Sequence, residues 1–281
     1  MAKLLFGTAG IPISTPPASG NQLLTIKGIQ QVAELGLGCM ELEFVNKVYL
    51  KKPDAEKVSQ IAEEAKVALS AHAPYALNFN AREMQKIRIS QSYLFTAAEI
   101  AYLCGAKSVV FHPGYYMGDS SEKAYQTVKT ALSEVLEKMD EKGIDITLRP
   151  EVSGKSSQFG TISEIVGLCS ELKNTLPCVD FAHWHARTGA YNSYAEFASV
   201  LDEISDTLGK ASLQNMHIHV SGIEYTAKGE KRHLPFSEAD MQYMELLKVL
   251  KDYNVSGTLI CESPIMEEDA LLLKHSFDAL P

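Results

Sequence analysis

Short runs rich in β-branched and apolar residues recur at nearly regular intervals along this chain. Longer stretches with apolar residues at helical spacing separate them. The runs fall near residues 3–8 (KLLFGT), 38–45 (GCMELEFV), 67–72 (VALSAH), 107–112 (KSVVFH), 144–151 (IDITLRPE), 176–183 (LPCVDFAH), 214–220 (QNMHIHV) and 257–262 (GTLICE). Intervening segments such as KVSQIAEEAKV and AYQTVKTALSEVLEKM carry the three-and-four spacing of an amphipathic helix. Eight units in 281 residues leave roughly 35 residues for each, the size of one repeat of a (β/α)8 barrel. An open doubly wound sheet is the alternative. No G-x-G-x-x-G follows the first strand to support its dinucleotide-binding version. With no low-complexity segment or linker, a single α/β domain is predicted, a (β/α)8 TIM barrel over residues 1–281.

Local signals agree with this rhythm. TISE (161–164), SYAE (193–196) and SEAD (237–240) read as capping boxes, in which a hydroxyl accepts from a free N–H and a carboxylate reaches back. Gly36, Gly105, Gly143 and Pro177 stand where helices should end before the next strand. No apolar run approaches the roughly 18–20 residues of a membrane helix, and MAKLLFGTAGIP has too short an apolar segment for a signal peptide and reads better as a first strand. The five scattered cysteines form no CxxC pair. They read as reduced, buried thiols of a cytoplasmic protein. A monomer is expected.

The polar residues are not spread evenly. Seven of the eight histidines (His72, His112, His183, His185, His217, His219 and His233) fall at predicted strand ends or in the loops that follow, and His275 lies in a helix. Glu151, Asp180 and Glu262 end the fifth, sixth and eighth strands. In an α/β barrel those ends form one rim. A single histidine there is more often a hydrogen-bonded core residue than a ligand, and a single carboxylate is often a helix cap. Six strands bringing such groups to one rim is a different situation. Burying three carboxylates together costs several kcal/mol per ion unless cations join them. Imidazoles among carboxylates are the donor set of zinc and similar ions. Prolines after His72 and His112 would end the ladder and leave each imidazole standing at the mouth.

In order along the chain, HAPY, FHPG, the PE of the fifth strand, VDFAH, MHIH, RH and CESP resemble endonuclease IV, the zinc-dependent apurinic/apyrimidinic endonuclease family with a (β/α)8 fold. The resemblance spans nearly the whole chain, and RPEVSGKSSQFG resembles the archaeal branch. It implies that His72 and His112 bind one zinc, with Glu151 bridging to a second. Asp180, His217 and Glu262 would complete the second zinc, and His183 and His233 would bind a third. Where the family has Asp-Arg-His, this chain has Lys231-Arg232-His233. The third zinc loses its carboxylate there unless Glu230 replaces it, or Lys231 supplies positive charge instead. Two zinc ions are therefore expected, a third is open, and manganese is the alternative metal. Strand alternation would put His185 and His219 on the same faces as His183 and His217, one step further out, as supporting or substrate contacts.

The resemblance further implies hydrolysis 5′ to an abasic site in double-stranded DNA, leaving a 3′-hydroxyl, with Glu151 and Glu262 as catalytic carboxylates among the ligands. A metal pair would acidify a water and stabilise the departing oxygen. Tyr75 matches the family's wedge position, and Tyr49 is a weaker candidate. Lys51, Lys52, Arg187 and Arg232 are candidate phosphate contacts in loops more basic than a chain of net charge −9. Two other readings stand beside this one. A sugar isomerase or epimerase would hold a single metal with Glu151, Asp180, His217 and Glu262. A protein that binds abasic DNA without cutting it is the other.

Overall fold

Among the described residues, eight parallel strands form one sheet, and their order makes it a ring. The computed structural model describes residues 3–20 and 23–281. The strands are β1 (Leu4–Ala9), β2 (Cys39–Glu43), β3 (Ala68–His72), β4 (Ser108–Phe111), β5 (Thr147–Pro150), β6 (Cys178–Asp180), β7 (Met216–Val220) and β10 (Gly257–Cys261). They lie in the order β5-β4-β3-β2-β1-β10-β7-β6. Parallel bridges Leu148–Thr175 and Glu151–Cys178 join the two ends, and Leu176 N–H donates to Leu148 O at 3.1 Å. The circuit is the predicted (β/α)8 barrel. β1 can lie so close to β2 because residue 7 is glycine, where a Cβ would meet the Cys39 carbonyl oxygen at 1.9 Å.

The helices cover the outside of the ring. Helix α4 (Ser121–Glu141) shows why: Ala124, Val128, Ala131, Leu132, Val135 and Met139 recur at three-and-four spacing and are all buried. Each large apolar side chain so buried stabilises the fold by about 1.5–3 kcal/mol. Ser120 caps this helix by accepting from Lys123 N–H at 3.3 Å. Helix α5 (Ile162–Glu171) begins with the predicted capping box between Thr161 and Glu164. Gly36, Gly105 and Gly143 all adopt positive φ, as helix-terminating glycines do.

Four local expectations are corrected. The sixth strand stops at Asp180 rather than 183, because its carboxylate accepts from His183 N–H at 2.7 Å and starts a helix, α6 (Phe181–Thr188). At 193–196 the Ser193 hydroxyl donates to Glu196 and caps no N–H. SEAD at 237–240 starts no α-helix; the next one, α8 (Tyr243–Asp252), begins later. Residues 221–235, expected as a loop, form an antiparallel hairpin of β8 (Gly222–Thr226) and β9 (Gly229–Leu234) beyond β7.

Candidate metal centre

The carboxyl ends of the strands converge on Glu151, the residue just past β5. One of its oxygens, Oε2, lies 3.1 Å from His72 Nε2 and 3.4 Å from His112 Nε2. The other, Oε1, lies 3.2 Å from His183 Nδ1 and 3.4 Å from His219 Nδ1. A single fully buried carboxylate thus faces four imidazoles, from β3, the residue just past β4, α6 and β7. Glu262 adds Oε1 at 3.4 Å from His219 Nδ1. Asp180 Oδ2 lies 3.2 Å from His183 Nδ1. Three donor groups follow, each with its ligand atoms within 4.8 Å of one another: His72, His112 and Glu151; Glu151, Asp180, His183 and Glu262; and His183, Glu230 and His233.

Hydrogen bonding fixes which imidazole nitrogens are bare. A carbonyl oxygen only accepts, so a ring nitrogen bonded to one carries the proton, and the other nitrogen of a neutral imidazole is a lone pair. His72 Nδ1–H donates to Ala73 O at 2.8 Å, His183 Nδ1–H to Val152 O at 3.2 Å and His233 Nδ1–H to Glu262 O at 3.1 Å. The Nε2 atoms of His183 and His233 then face each other at 3.4 Å, with Glu230 Oε2 3.6 Å from His183 Nε2. His72 Nε2 faces a carboxylate oxygen. Lone pairs in such contact repel unless a cation or a proton lies between them. Glu151 Oε1, Asp180 Oδ2, His219 Nδ1 and Glu262 Oε2 are buried with no hydrogen-bond partner among the described residues. This donor set fits divalent metal ions of zinc type.

The charges of the site point the same way. Burial works to raise the Glu151 carboxyl, but the surrounding imidazoles hold it well below the usual range. Burial, with Asp180 and Glu151 nearby, pushes Glu262 up to about 8. Glu43 also rises to about 8, through burial and the Glu41 and Glu262 carboxylates. Burial opposes the charge of His72, yet the bond to Glu151 outweighs it and lifts that imidazole to about 9. His112 falls to about 4 through burial and the neighbouring imidazolium groups. Without metal, the site holds its excess charge only by retaining protons.

A bulge decides the third donor group. Glu224 pairs with Arg232 and Tyr225 with Glu230, so Lys231 is an extra residue opposite that step. Alternation would otherwise put residues 231 and 233 on one face; the extra residue puts 230 and 233 there instead. Lys231 turns outward and pairs with Glu224, as does Arg232 at 2.6 Å. Gly154 makes room, since a Cβ there would lie 2.8 Å from Glu230 Cβ. Glu230, not Lys231, faces His183 and His233.

The two paired histidines part company. His219 reaches Glu151 and Glu262, whereas His217 lies a layer deeper, with Nδ1 3.0 Å from Thr258 Oγ1 and Nε2 3.0 Å from Glu41 Oε2. His219 therefore occupies the place expected of His217. A fourth group of donors, Cys178, His217 and His219, lies at that depth. His185 is on a helix, not a strand, so two residues' separation turns it away from His183. It contacts Ala190 O at 2.7 Å and Asp240 at 3.1 Å. Glu41 and Ser70, in the barrel lumen, and Glu43, which ends β2 two residues before the end of the predicted strand, are polar residues that the predicted strand ends do not reach; the alternation of MELEF is a signal of the two acids only.

The mouth holds a cavity of about 280 Å³ lined by Tyr75, His112, Tyr115, Lys155, Glu230 and Glu262, among others. Tyr75 is half exposed, edge-on to His72. Tyr49 hydrogen-bonds Thr25 and packs edge-on against Phe44. Lys51 precedes α2 (Lys52–Ala65) at its N-cap, and Lys52 pairs with Glu99. Arg187 is committed to the carbonyls of Ser153, Lys155 and Gln158 and braces the loop after β5. Among the described residues no helix is long and apolar enough to cross a membrane.

The chain matches the xylose isomerase-like TIM barrel family over residues 29–281. It is 44% identical over 278 residues to an uncharacterized protein of Methanocaldococcus jannaschii, covering 99% of this chain and 98% of that one. A probable endonuclease 4 of Shouchella clausii is 26% identical over 178 residues, 62% of this chain and 59% of that protein's length. Among solved structures, endonuclease IV from Thermus thermophilus superposes with a TM-score of 0.73 at 20% identity, over 97% and 98% of the two chains. A D-tagatose 3-epimerase-like protein gives 0.70 at 19% identity, over 90% and 91%.

Proposed function

The chain belongs to the xylose isomerase-like TIM barrel family that includes the endonuclease IV-like proteins, and on that premise we propose that it is a metal-dependent phosphodiester hydrolase that cuts double-stranded DNA 5′ to abasic sites and leaves a 3′-hydroxyl. The observation that carries this reading is the pair of bare Nε2 atoms of His183 and His233, 3.4 Å apart, beside a separate set at His72, His112 and Glu151. An epimerase with one ion has no use for the four histidines His72, His112, His183 and His233. Several ions bridged by one carboxylate suit phosphoryl transfer, where charge must be absorbed at two oxygens.

His72, His112 and Glu151 would hold a first ion. Glu151, Asp180, His219 and Glu262 would hold a second, with His219 in the role that the motif order gave to His217. His183, His233 and Glu230 would hold a third. Zinc suits these donors, and manganese is the alternative. Ions held there supply an acidified water and positive charge for the phosphoryl and leaving oxygens. Glu151 keeps both sets at a common distance. Tyr75, exposed at the rim, would wedge against the bases flanking the gap left when the abasic nucleotide, which has no base to unstack, turns out of the helix. Lys155, lining the cavity, is a better-placed phosphate contact than Arg187.

The test is an incision assay on a duplex carrying one abasic site, with and without chelator, beside a count of metal per chain. Chelator-sensitive cutting to a 3′-hydroxyl with two or three ions per chain is expected. One ion per chain with ketose epimerisation would replace this reading by the sugar enzyme. Tight binding to abasic duplex without incision in zinc would replace it by a damage-recognition protein.

A further inference from the structure

Beneath the metal centre the barrel lumen holds a carboxylate that no reading of the rim requires. Glu41 on β2 is fully buried and reaches across the lumen to β7. Its Oε2 accepts from Ser70 Oγ at 2.6 Å and lies 3.0 Å from His217 Nε2, while Oε1 lies 2.9 Å from His219 Nε2. On the far side of the same ring, His219 Nδ1 stands 3.4 Å from an oxygen of Glu151 and 3.4 Å from one of Glu262. Burying a carboxylate inside a barrel is costly unless its partners satisfy it. A lumen built only for packing would use an aliphatic side chain here.

We propose that Glu41 is a positioning residue: it holds the proton of His219 on Nε2, so that Nδ1 is the bare nitrogen presented between Glu151 and Glu262. His217 Nε2 also stands 3.3 Å from His219 Nε2, but with its own proton directed at Glu41 Oε2 it offers no lone pair. Without Glu41 the His219 proton would move to Nδ1, where two carboxylates offer themselves as acceptors, and the ring would then donate to Glu262 instead of ligating. Ser70 and His217 orient the carboxylate. His217 is itself anchored by Thr258, whose Oγ1 is 3.0 Å from its Nδ1. The inference rests on the metal reading of the site but not on the substrate.

The test compares wild type with Glu41→Gln and Glu41→Met, measuring zinc dissociation constants by chelator competition and the unfolding midpoint of the chelated protein. Carboxylates that orient a ligating imidazole typically contribute about 10–100-fold in metal affinity. The Met variant, whose thioether is only a weak acceptor, should lose that much for one ion. The Gln variant, whose amide oxygen still accepts one bond, should fall between. Visible absorption of the cobalt-loaded proteins should change for one site and keep the rest. The chelated midpoints should not follow that order. Affinities within twofold of wild type, or losses that track the chelated midpoints, would overturn the proposal. If the Met variant does not fold, Ser70→Ala removes only the donor to Oε2 and should weaken the same ion about two- to tenfold; no change would again refute it. Failure of wild type to bind any ion would sink the metal reading, whereas normal metal data without incision would sink only the substrate.

Discussion

Stripping the metal should make stability fall as pH rises from 6.5 to 8. Glu43 and Glu262 have folded pKa values near 8 against an ordinary 4.5, so across this window the folded chain holds protons that the unfolded chain has released. His72, lifted from 6.5 to about 9, does the same. Whenever the folded state binds more protons, stability drops with rising pH. Each group taken alone loses ~1.6 kcal/mol over 1.5 pH units, because a full proton's difference between the two states is worth about 1.4 kcal/mol for every pH unit crossed. The three are neighbours and compete for charge, so the sum of ~5 kcal/mol is a ceiling and ~2 kcal/mol a working figure. His183 and His219, also raised, add in the same direction. The groups of opposite sign finish earlier: His112 and His217, pushed down to about 4, favour the fold as pH climbs from 4 to 6.5 and then stop. The chelated protein should therefore be most stable near pH 6.5, with a midpoint ~4–8 °C lower at pH 8. In the zinc-saturated protein the ions replace the protons and bind better as pH rises, so the decline should vanish or reverse. Thermal unfolding of both forms decides it, the loaded form controlling for general charge repulsion. A chelated midpoint that holds or rises between pH 6.5 and 8 would refute the claim that these groups share protons in the absence of metal.

Glu151→Gln should abolish incision and remove at least two ions per chain, because this carboxylate belongs to two donor groups; near-normal metal content by elemental analysis would exclude it as the bridge. Glu230→Ala should lower the count by one ion in a protein that binds three, while Lys231→Ala and Lys231→Asp leave it unchanged, since residue 231 sits on the bulge facing Glu224; a rise in metal with Lys231→Asp would show that the hairpin can shift register. Tyr75→Ala should weaken binding to abasic duplex by about 1–3 kcal/mol, the usual worth of an aromatic platform, without altering metal content; unchanged affinity in a gel-shift titration would move the wedge elsewhere.

The barrel is legible in the sequence because period-two runs, helical spacing and terminating glycines all repeat in step. Depth is not legible. His217 and His219 share a face by alternation, but which one reaches the rim depends on the stagger of neighbouring strands. His217 lies opposite Cys178 and Thr258, whereas His219 lies opposite Asp180, the last residue of β6. The strand that ends beside His219 puts it at the mouth. The sixth unit misleads for a related reason: DFAHWHA is apolar enough to extend a strand, and the carboxylate that starts the helix is itself a candidate ligand. The hairpin stays hidden because a bulge breaks the alternation that would announce it. Glu41 and Glu43 escape notice because alternating acids in a strand ordinarily face water, whereas inside a closed barrel both faces are covered.

Strand ends do more here than bring side chains together. Ala73, Val152 and Glu262, whose carbonyls accept from His72, His183 and His233, each lie one or two residues past the last residue of β3, β5 or β10. A carbonyl within a ladder is taken by the next strand; one just beyond it is free to accept from an imidazole. The same backbone position thus ends the strand and sets the tautomer, leaving Nε2 bare. His112 Nδ1 is buried with no partner among the described residues, so no carbonyl sets its tautomer; His219 departs from the pattern in a different way. It sits inside β7, where backbone carbonyls serve the ladder, so its proton acceptor has to come from a side chain. Glu41 Oε1 stands 2.9 Å from its Nε2, closer than His217 Nε2 at 3.3 Å, and the geometry inverts accordingly: Nε2 is tied down and Nδ1 faces Glu151 and Glu262. A histidine recruited from within a strand demands a buried acid that histidines at the rim do not.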